Sequence, residues 1–180
     1  MGVILFTFLL YRGWFAIYNK ENLAGLFRYS GLAALFVIIS ILVDLKVGFP
    51  VDMNILFPKS LLFYPVIGFL VEILFHVLPL SILLISLTTI LKNISYTSIL
   101  WICILFVALL EPTFQAMPMA SSNHFPSWAV AIVWLNIFIF NLSQLLIFKH
   151  YDFISMYSFR LVYYLFWHIG WGYIRLKLLF

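Results

Sequence analysis

The stretch LLFYPVIGFLVEILFHVLPLSILLISLTTIL, residues 61–91, contains no lysine or arginine, and its ionisable side chains are Glu72, His76 and one tyrosine. A bilayer core of about 30 Å requires about 20 apolar residues in a helix. The run is longer than this, so we predict a membrane-crossing helix that is tilted, extends past the bilayer, or bends at Pro79, whose nitrogen has no hydrogen to donate. Such a helix favours an all-α transmembrane protein.

The composition extends this prediction to the whole chain. Of the 180 residues, 66% are apolar, 20% aromatic and 9% charged, too few polar side chains to cover a soluble globule. We therefore predict a single domain, residues 1–180, that forms a polytopic transmembrane helical bundle. Apolar runs separated by polar or proline-containing stretches predict about six spans, near 3–18, 30–44, 61–91, 98–117, 127–148 and 155–175.

The charged residues indicate membrane contact. The formal net charge of +4 comes from ten basic residues scattered along the chain. Scattered basic residues are typical of anchors at the lipid headgroups, whereas nucleic-acid binding is indicated by basic runs. We expect an integral, multi-pass protein with membrane lipid as a partner and no nucleic acid. Eight of these basic residues lie in loops and divide four against four between the two sets of alternate loops, so they leave the orientation open.

Glu72 and His76 are the first candidate functional residues. An ionisable side chain at membrane depth costs about 2.5–3.5 kcal/mol, so it indicates a functional group or a specific partner. With a spacing of four residues, the two side chains lie on one face of a helix. One interpretation is a buried hydrogen-bonded pair that fixes helix packing. The other is a shared metal site, since zinc accepts histidine nitrogen and carboxylate oxygen.

Two further groups are candidates for the same interior. Glu111 lies near the end of the fourth predicted span, either at headgroup level or facing inward as a second carboxylate. Arg160, Tyr164 and His168 recur every four residues in the last span and so share one stripe. We predict that this stripe is an inward polar seam that Glu72 or Glu111 neutralises.

The run FYPVIGFLVEILFHVLP, residues 63–79, resembles the first motif region of the CPBP family. This family of intramembrane metalloproteases includes CAAX prenyl proteases and bacteriocin-immunity and abortive-infection proteins. Its sites contain a Glu-Glu-x-x-x-Arg motif, then Phe-x-x-x-His, then His-x-x-x-Asn or Asp. The resemblance covers about residue 61 to the C-terminus. It implies an all-α membrane bundle in a bacterial cell membrane and a site that activates water for peptide cleavage.

The first motif is matched in part. Its second glutamate corresponds to Glu72, and the aromatic residue before the arginine corresponds to Phe75. Val71 stands at the first glutamate, and His76 at the arginine.

The second and third motifs depart further from the family pattern. Leu110 stands at the histidine of the second motif, with Glu111 next to it. By spacing, the third motif falls on residues 160–164, which contain no histidine, while residues 168–172 contain His168 but no Asn or Asp at the final position.

Three functions follow from these matches and departures. The first is a divergent, non-catalytic member that acts in membrane protein or peptide processing or in immunity, with a membrane-embedded peptide or protein as partner. In this case Arg160 replaces the positive charge of a metal. The second is an active metal-dependent endopeptidase with Glu72, His76 and Glu111 as catalytic residues and zinc held by His76, His168 and Glu111. The third is a small membrane carrier, although the paired broken helices typical of carriers are not seen.

Overall fold

The computed structural model describes residue 7, residues 10–122 and residues 124–180, and for residues 23–28 and 30 it describes the backbone alone. These ranges form five long helices and no strand, so the all-α prediction is confirmed for them. The helices are α1, Leu23–Val47; α2, Ser60–Ile90; α3, Tyr96–Ala120; α4, Ser127–His150; and α5, residues 153–178.

Three helices in the described ranges, α2, α3 and α4, are long and apolar enough to cross a membrane. They have 31, 25 and 24 residues and coincide with the predicted spans at 61–91, 98–117 and 127–148. Large apolar side chains cover the outside of α2, where Leu62 is 78% exposed and Val66 is 63% exposed. Such a surface is stable in lipid rather than in water, which supports a membrane protein.

The other predicted spans are not among these three helices. The spans at 30–44 and 155–175 fall on α1 and α5. The span at 3–18 lies partly outside the described residues. Within the described part, its helix ends at Tyr11, and the chain turns at Gly13, whose φ of 64° is a conformation that favours glycine.

Helices α2 and α5 each contain a π-helical segment. In α2 it spans Glu72–Val77 and ends two residues before Pro79, and the Leu78 N–H bonds to the carbonyl of Ile73. The irregularity thus lies beside the proline, where a bend is predicted. In α5 the segment spans Leu165–Trp171, between α-helical parts at Phe153–Tyr164 and Gly172–Leu178. π-Helical turns are rare and occur frequently at functional sites.

An aromatic core joins α1, α4 and α5. The rings of Phe140 and Phe159 stack with centroids 4.9 Å apart, and Phe36 contacts both rings edge-on. Helix α2 packs against α3 and against the first half of α5, while the second half of α3 packs on α4. This arrangement places residue 160 of α5 against inward-facing side chains of α2, α3 and α4.

Candidate binding site around a buried ion cluster

The site is centred on Arg160, whose side chain crosses the interior between two carboxylates. It is 1% exposed. Its Nε donates to Oε1 of Glu72 at 2.6 Å, while Nη1 and Nη2 donate to Oε1 and Oε2 of Glu111 at 2.9 and 2.8 Å. A planar guanidinium matches a carboxylate with two parallel bonds, the strongest ion-pair geometry in proteins. One permanent cation therefore holds both glutamates.

The remaining hydrogens of Arg160 are also bonded. Nη2 donates to Oε1 of Gln144 at 2.8 Å, and Nη1 donates to the Tyr164 hydroxyl at 3.3 Å. The amide nitrogen of Gln144 in turn donates to Oε1 of Glu72. A guanidinium has five N–H groups, and the five bonds to Glu72, Glu111, Gln144 and Tyr164 use all of them. Below, the ion cluster means Glu72, His76, Glu111, Gln144 and Arg160.

His76 lies between the same two carboxylates. Its Nδ1 is 2.8 Å from Oε2 of Glu72, and its Nε2 is 4.0 Å from Oε2 of Glu111. The short contact to Glu72 does not have hydrogen-bond geometry, so both ring nitrogens and Oε2 of Glu72 are buried without a hydrogen-bond partner among the residues that the structure describes. Buried polar atoms without a hydrogen bond are costly and uncommon in folded proteins.

His168 lies apart from His76. Its Nδ1 is 2.7 Å from Oδ1 of Asn54, and its ring stacks on Tyr64 with centroids 4.5 Å apart. The edge of its ring also contacts Tyr164, 4.9 Å between centroids. The structure therefore brings together Glu72, His76, Glu111, Arg160 and Tyr164, while His168, one turn beyond Tyr164, bonds to the loop between α1 and α2.

The donor atoms do not fit a zinc ion. Zinc sites require three or four converging His, Cys or carboxylate ligands, and no three such side chains in the described ranges are grouped to hold a metal. Three of the four oxygens of Glu72 and Glu111 accept hydrogen bonds from Arg160. A second cation there would meet the charge of the guanidinium. The zinc ligands His76, His168 and Glu111 thus stay a prediction that a metal analysis tests.

A cavity of about 340 Å³ lies beside the ion cluster. Its polar wall includes Glu111, Arg160 and His168, and most of its other lining residues are apolar. The volume falls at the lower end of the range for small-molecule sites, about 300–1,000 Å³. The site thus combines a charge-paired wall with an apolar space of ligand size.

Several buried polar residues at the site were not predicted from the sequence. Gln144 completes the ion cluster, Asn54 bonds to His168, and Asn136 lines the cavity. The signal for Gln144 and Asn136 is that each is an amide side chain within a predicted span. An amide in such a helix tends to face protein, since lipid offers it no hydrogen bond.

A second buried ion pair, also not predicted, joins the end of α1 to the end of α5. Asp44 and Arg175 are both fully buried, with Nε 2.7 Å from Oδ2 and Nη2 2.9 Å from Oδ1. Arg175 also donates to the carbonyls of Phe49 and Pro50, and the Trp171 indole donates to Asp44. This pair closes the loop after α1 over the second half of α5. The sequence signal for this ion pair was Asp44, an acidic residue within the predicted span at 30–44.

Comparison with protein-family models and curated proteins finds no match to the sequence, and comparison with solved structures finds no match to the fold.

Proposed function

We propose that this chain is a non-catalytic, multi-pass membrane protein of the CPBP type that acts by binding a membrane-embedded peptide or protein. The process it serves would be membrane protein or peptide processing or immunity, in a bacterial cell membrane. In this proposal α1, α5 and the N-terminal segment also cross the bilayer, which gives about six spans. The 25 residues of α1 and its packing against α4 and α5 are consistent with that number.

The observation that carries the proposal is the position of Arg160. An arginine is always protonated in proteins, so the charge between Glu72 and Glu111 is permanent. A metal-dependent protease needs carboxylates that are free to bind the metal or to take a proton from its water. Here Arg160 engages both oxygens of Glu111 and one oxygen of Glu72. An internal ion pair thus replaces the cation on which the chemistry depends.

The alternative is an active metal-dependent intramembrane endopeptidase with a rearranged Glu/His site. The observation in its favour is the unpartnered His76 ring together with Oε2 of Glu72, both buried within the described part of the chain. These atoms are one imidazole and one carboxylate oxygen, the donor types that zinc accepts.

The test is the zinc content of the purified protein, measured by elemental mass spectrometry. We expect well below one zinc per wild-type chain, with or without added zinc. Arg160→Met removes the cation and leaves two carboxylates beside His76, so this variant should gain zinc affinity. Arg160→Lys keeps a positive charge and is the matched control, which should stay free of zinc.

One result would overturn the proposal. If the wild-type protein carries close to one zinc per chain, and His76→Ala removes that zinc while the helical content is unchanged, the site is a metal centre and the endopeptidase alternative holds. This measurement on the wild type is decisive even if Arg160→Met fails to fold.

A further inference from the structure

We propose that the cavity beside the ion cluster binds an organic cation of the quaternary ammonium class, which has no N–H groups. This inference goes beyond the proposed function, because it assigns a small ligand in addition to a peptide or protein partner. It rests on the proposed function in one respect, since it requires an ion cluster that holds no metal.

The first support is an excess of negative charge in the ion cluster. Glu72 and Glu111 carry two negative charges, and Arg160 carries one positive charge between them. His76 would balance the excess only with a second ring proton, and neither ring nitrogen has a hydrogen-bond partner among the described residues. An uncompensated charge is costly in an interior of low dielectric constant, and a cation bound in the adjacent cavity reduces that cost.

The second support is the aromatic part of the cavity wall. The centroid of the Phe49 ring lies 5.8 Å from that of Phe125 and 6.0 Å from that of Trp167, with interplanar angles of 49° and 90°. The face of an aromatic ring attracts a cation, and Cζ of Arg160 already lies 5.6 Å from the centroid of Phe140 in the same wall. Rings inclined to one another can contact several sides of a rounded cation, the arrangement that recognises quaternary ammonium ions.

The third support is that the oxygens of Glu111 already accept hydrogen bonds. Oε1 accepts from Nη1 of Arg160 at 2.9 Å and from Nε2 of Gln115 at 2.7 Å, and Oε2 accepts from Nη2 of Arg160 at 2.8 Å. A primary ammonium group needs acceptors in place of its water and would compete with the guanidinium for these oxygens. A quaternary ammonium ion binds through charge and ring contacts alone, so it leaves the bonds of the ion cluster intact.

The cavity can be reached from outside the helix bundle. Four of its lining residues are exposed, namely Pro50, Met53, Gln115 and Pro118. They belong to the loop after α1 and to the second half of α3. A ligand thus enters between these two segments and reaches the buried rings of Phe49 and Trp167.

The experiment uses the full chain in alkyl maltoside micelles, which contain neither choline nor charge, and two matched probes. Choline is a trimethylammonium ion, and 3,3-dimethylbutan-1-ol has the same shape with an uncharged carbon in place of the nitrogen. Ligand-detected NMR titrations give both dissociation constants. We expect choline to bind about tenfold more tightly, a ratio within the range for a cation held by aromatic rings away from water.

Variants locate the interaction. Phe49→Leu and Phe125→Leu replace a ring with an aliphatic side chain, so each should weaken choline several-fold with little effect on the alcohol. Phe114→Leu is the matched control, since Phe114 is 64% exposed and outside the cavity lining, and it should leave both affinities unchanged. Glu111→Gln removes the excess negative charge and should weaken choline alone.

Two further comparisons define the ligand. Protonated dimethylaminoethanol is close to choline in shape but has one N–H, so it should bind more weakly, and tighter binding would contradict the third support. The trimethylammonium group could come from a choline lipid or from a free organic cation. A lower apparent affinity for choline in phosphatidylcholine nanodiscs than in maltoside micelles would identify the lipid head group, and an unchanged affinity would identify a free cation. Both of these results support the cationic site.

Two results would overturn the inference. Equal affinity for choline and the alcohol in a wild-type sample free of zinc would mean that the cavity does not select a cation. Equal effects of Phe49→Leu and Phe114→Leu would mean that the rings of the cavity do not bind it. If the same sample carries about one zinc per chain, the proposed function fails instead, because the metal supplies the positive charge. The comparison of probes in the wild type decides even if Glu111→Gln does not fold.

Discussion

At the scale of single residues, Asp152 shows how one carboxylate connects distant parts of the chain. It lies directly before α5, where Oδ1 accepts from the Ser155 N–H at 2.6 Å and caps the helix. Oδ2 accepts from the Asn19 N–H and from Nδ2 of Asn22, each at 2.8 Å. This side chain and two backbone hydrogen bonds, from the Phe153 and Ile154 N–H groups to the carbonyls of Ala16 and Ile17, thus tie the segment before α1 to the start of α5.

This geometry predicts a pH dependence. Burial raises the pKa of Asp152, but hydrogen bonds from Asn22 and Ser155 outweigh burial, so the pKa lies below the ordinary range of a carboxyl group. Because the pKa is lower in the folded state, the stabilisation is complete at neutral pH and is lost as the pH falls through the folded-state value. We expect the Asn19 amide to be protected from hydrogen exchange at neutral pH and to lose protection in acid.

Two variants at this position distinguish the effect of the carboxylate charge from the effect of the helix cap. Asp152→Ala should abolish protection of Asn19 at every pH and lower stability by about 1–2 kcal/mol through loss of the cap. Asp152→Asn keeps an acceptor for Ser155 but turns an amide towards Asn19, so it should keep most of the stability and lose the pH dependence. Unchanged Asn19 exchange in Asp152→Ala would show that the tie is not formed.

Single residues also show which parts of the site the sequence could predict. Glu72, Glu111 and Arg160 were recognisable because a charge in an apolar run must find a partner or face the interior. Gln144 and Asn136 gave a weaker signal because an uncharged amide is less costly in a helix. That Gln144 bonds to Glu72 depends on how α4 packs against α2, and such a contact across 72 positions is not encoded in local spacing.

At the scale of elements, the helices were predicted more accurately than their local geometry. The run at 61–91 became one helix, with its irregular segment next to Pro79. The π-helical segment of α5 has no neighbouring proline from which it could have been predicted. It begins at Leu165, and π-helical turns take about one residue more than α-helical turns. Arg160, Tyr164 and His168 nevertheless line one cavity, and His168 bonds to Asn54 rather than to the ion cluster.

The close approach of α5 to the loop before α2 gives a prediction for Gly172. A Cβ at this position would lie 3.1 Å from Cβ, Cγ and Nδ2 of Asn54, and Asn54 holds Nδ1 of His168. Gly172→Ala must therefore displace Asn54 by a few tenths of an ångström, and we expect an overpacking cost of about 1–3 kcal/mol to exceed the gain of up to about 1 kcal/mol in helix propensity. We expect lower stability towards denaturant and a change in the ¹⁵N resonances of the His168 ring.

The control for this prediction is Gly31→Ala in α1. No described atom lies within 4 Å of a Cβ at that position, and the residue is exposed. Alanine is the better helix former, so this variant should be neutral or up to about 1 kcal/mol more stable. If both alanine variants were equally stable and the His168 resonances did not move, the contact between Asn54 and Gly172 would not be rigid.

At the scale of the whole molecule, composition was enough to predict a membrane protein, but not how its charges pair. Three helices in the described ranges are apolar enough to cross a bilayer, whereas α1 and α5 carry the buried charges Asp44, Arg160 and Arg175. Those charges reduce the apolar signal of the helices that hold them. The two ion pairs on α5 join it to every other long helix: Arg160 contacts side chains of α2, α3 and α4, and Arg175 contacts α1.

These two pairs should act independently. Residues 160 and 175 are separated by about 20 Å along a helix that rises 1.5 Å per residue, and they share no partner. Arg175→Met or Asp44→Asn alone leaves one buried charge uncompensated and should cost about 3–5 kcal/mol in unfolding free energy, measured by denaturant titration in detergent. The double variant Asp44→Asn/Arg175→Met contains no buried charge at this position, so it should cost less than the sum of the single variants by more than about 1 kcal/mol.

Combining Arg175→Met with Arg160→Met, by contrast, should give the sum of the two costs to within about 0.5 kcal/mol. Additive costs for Asp44 and Arg175 would contradict the buried pair, whereas strong coupling between the two arginines would mean that α5 transmits a change at one end to the ion cluster at the other.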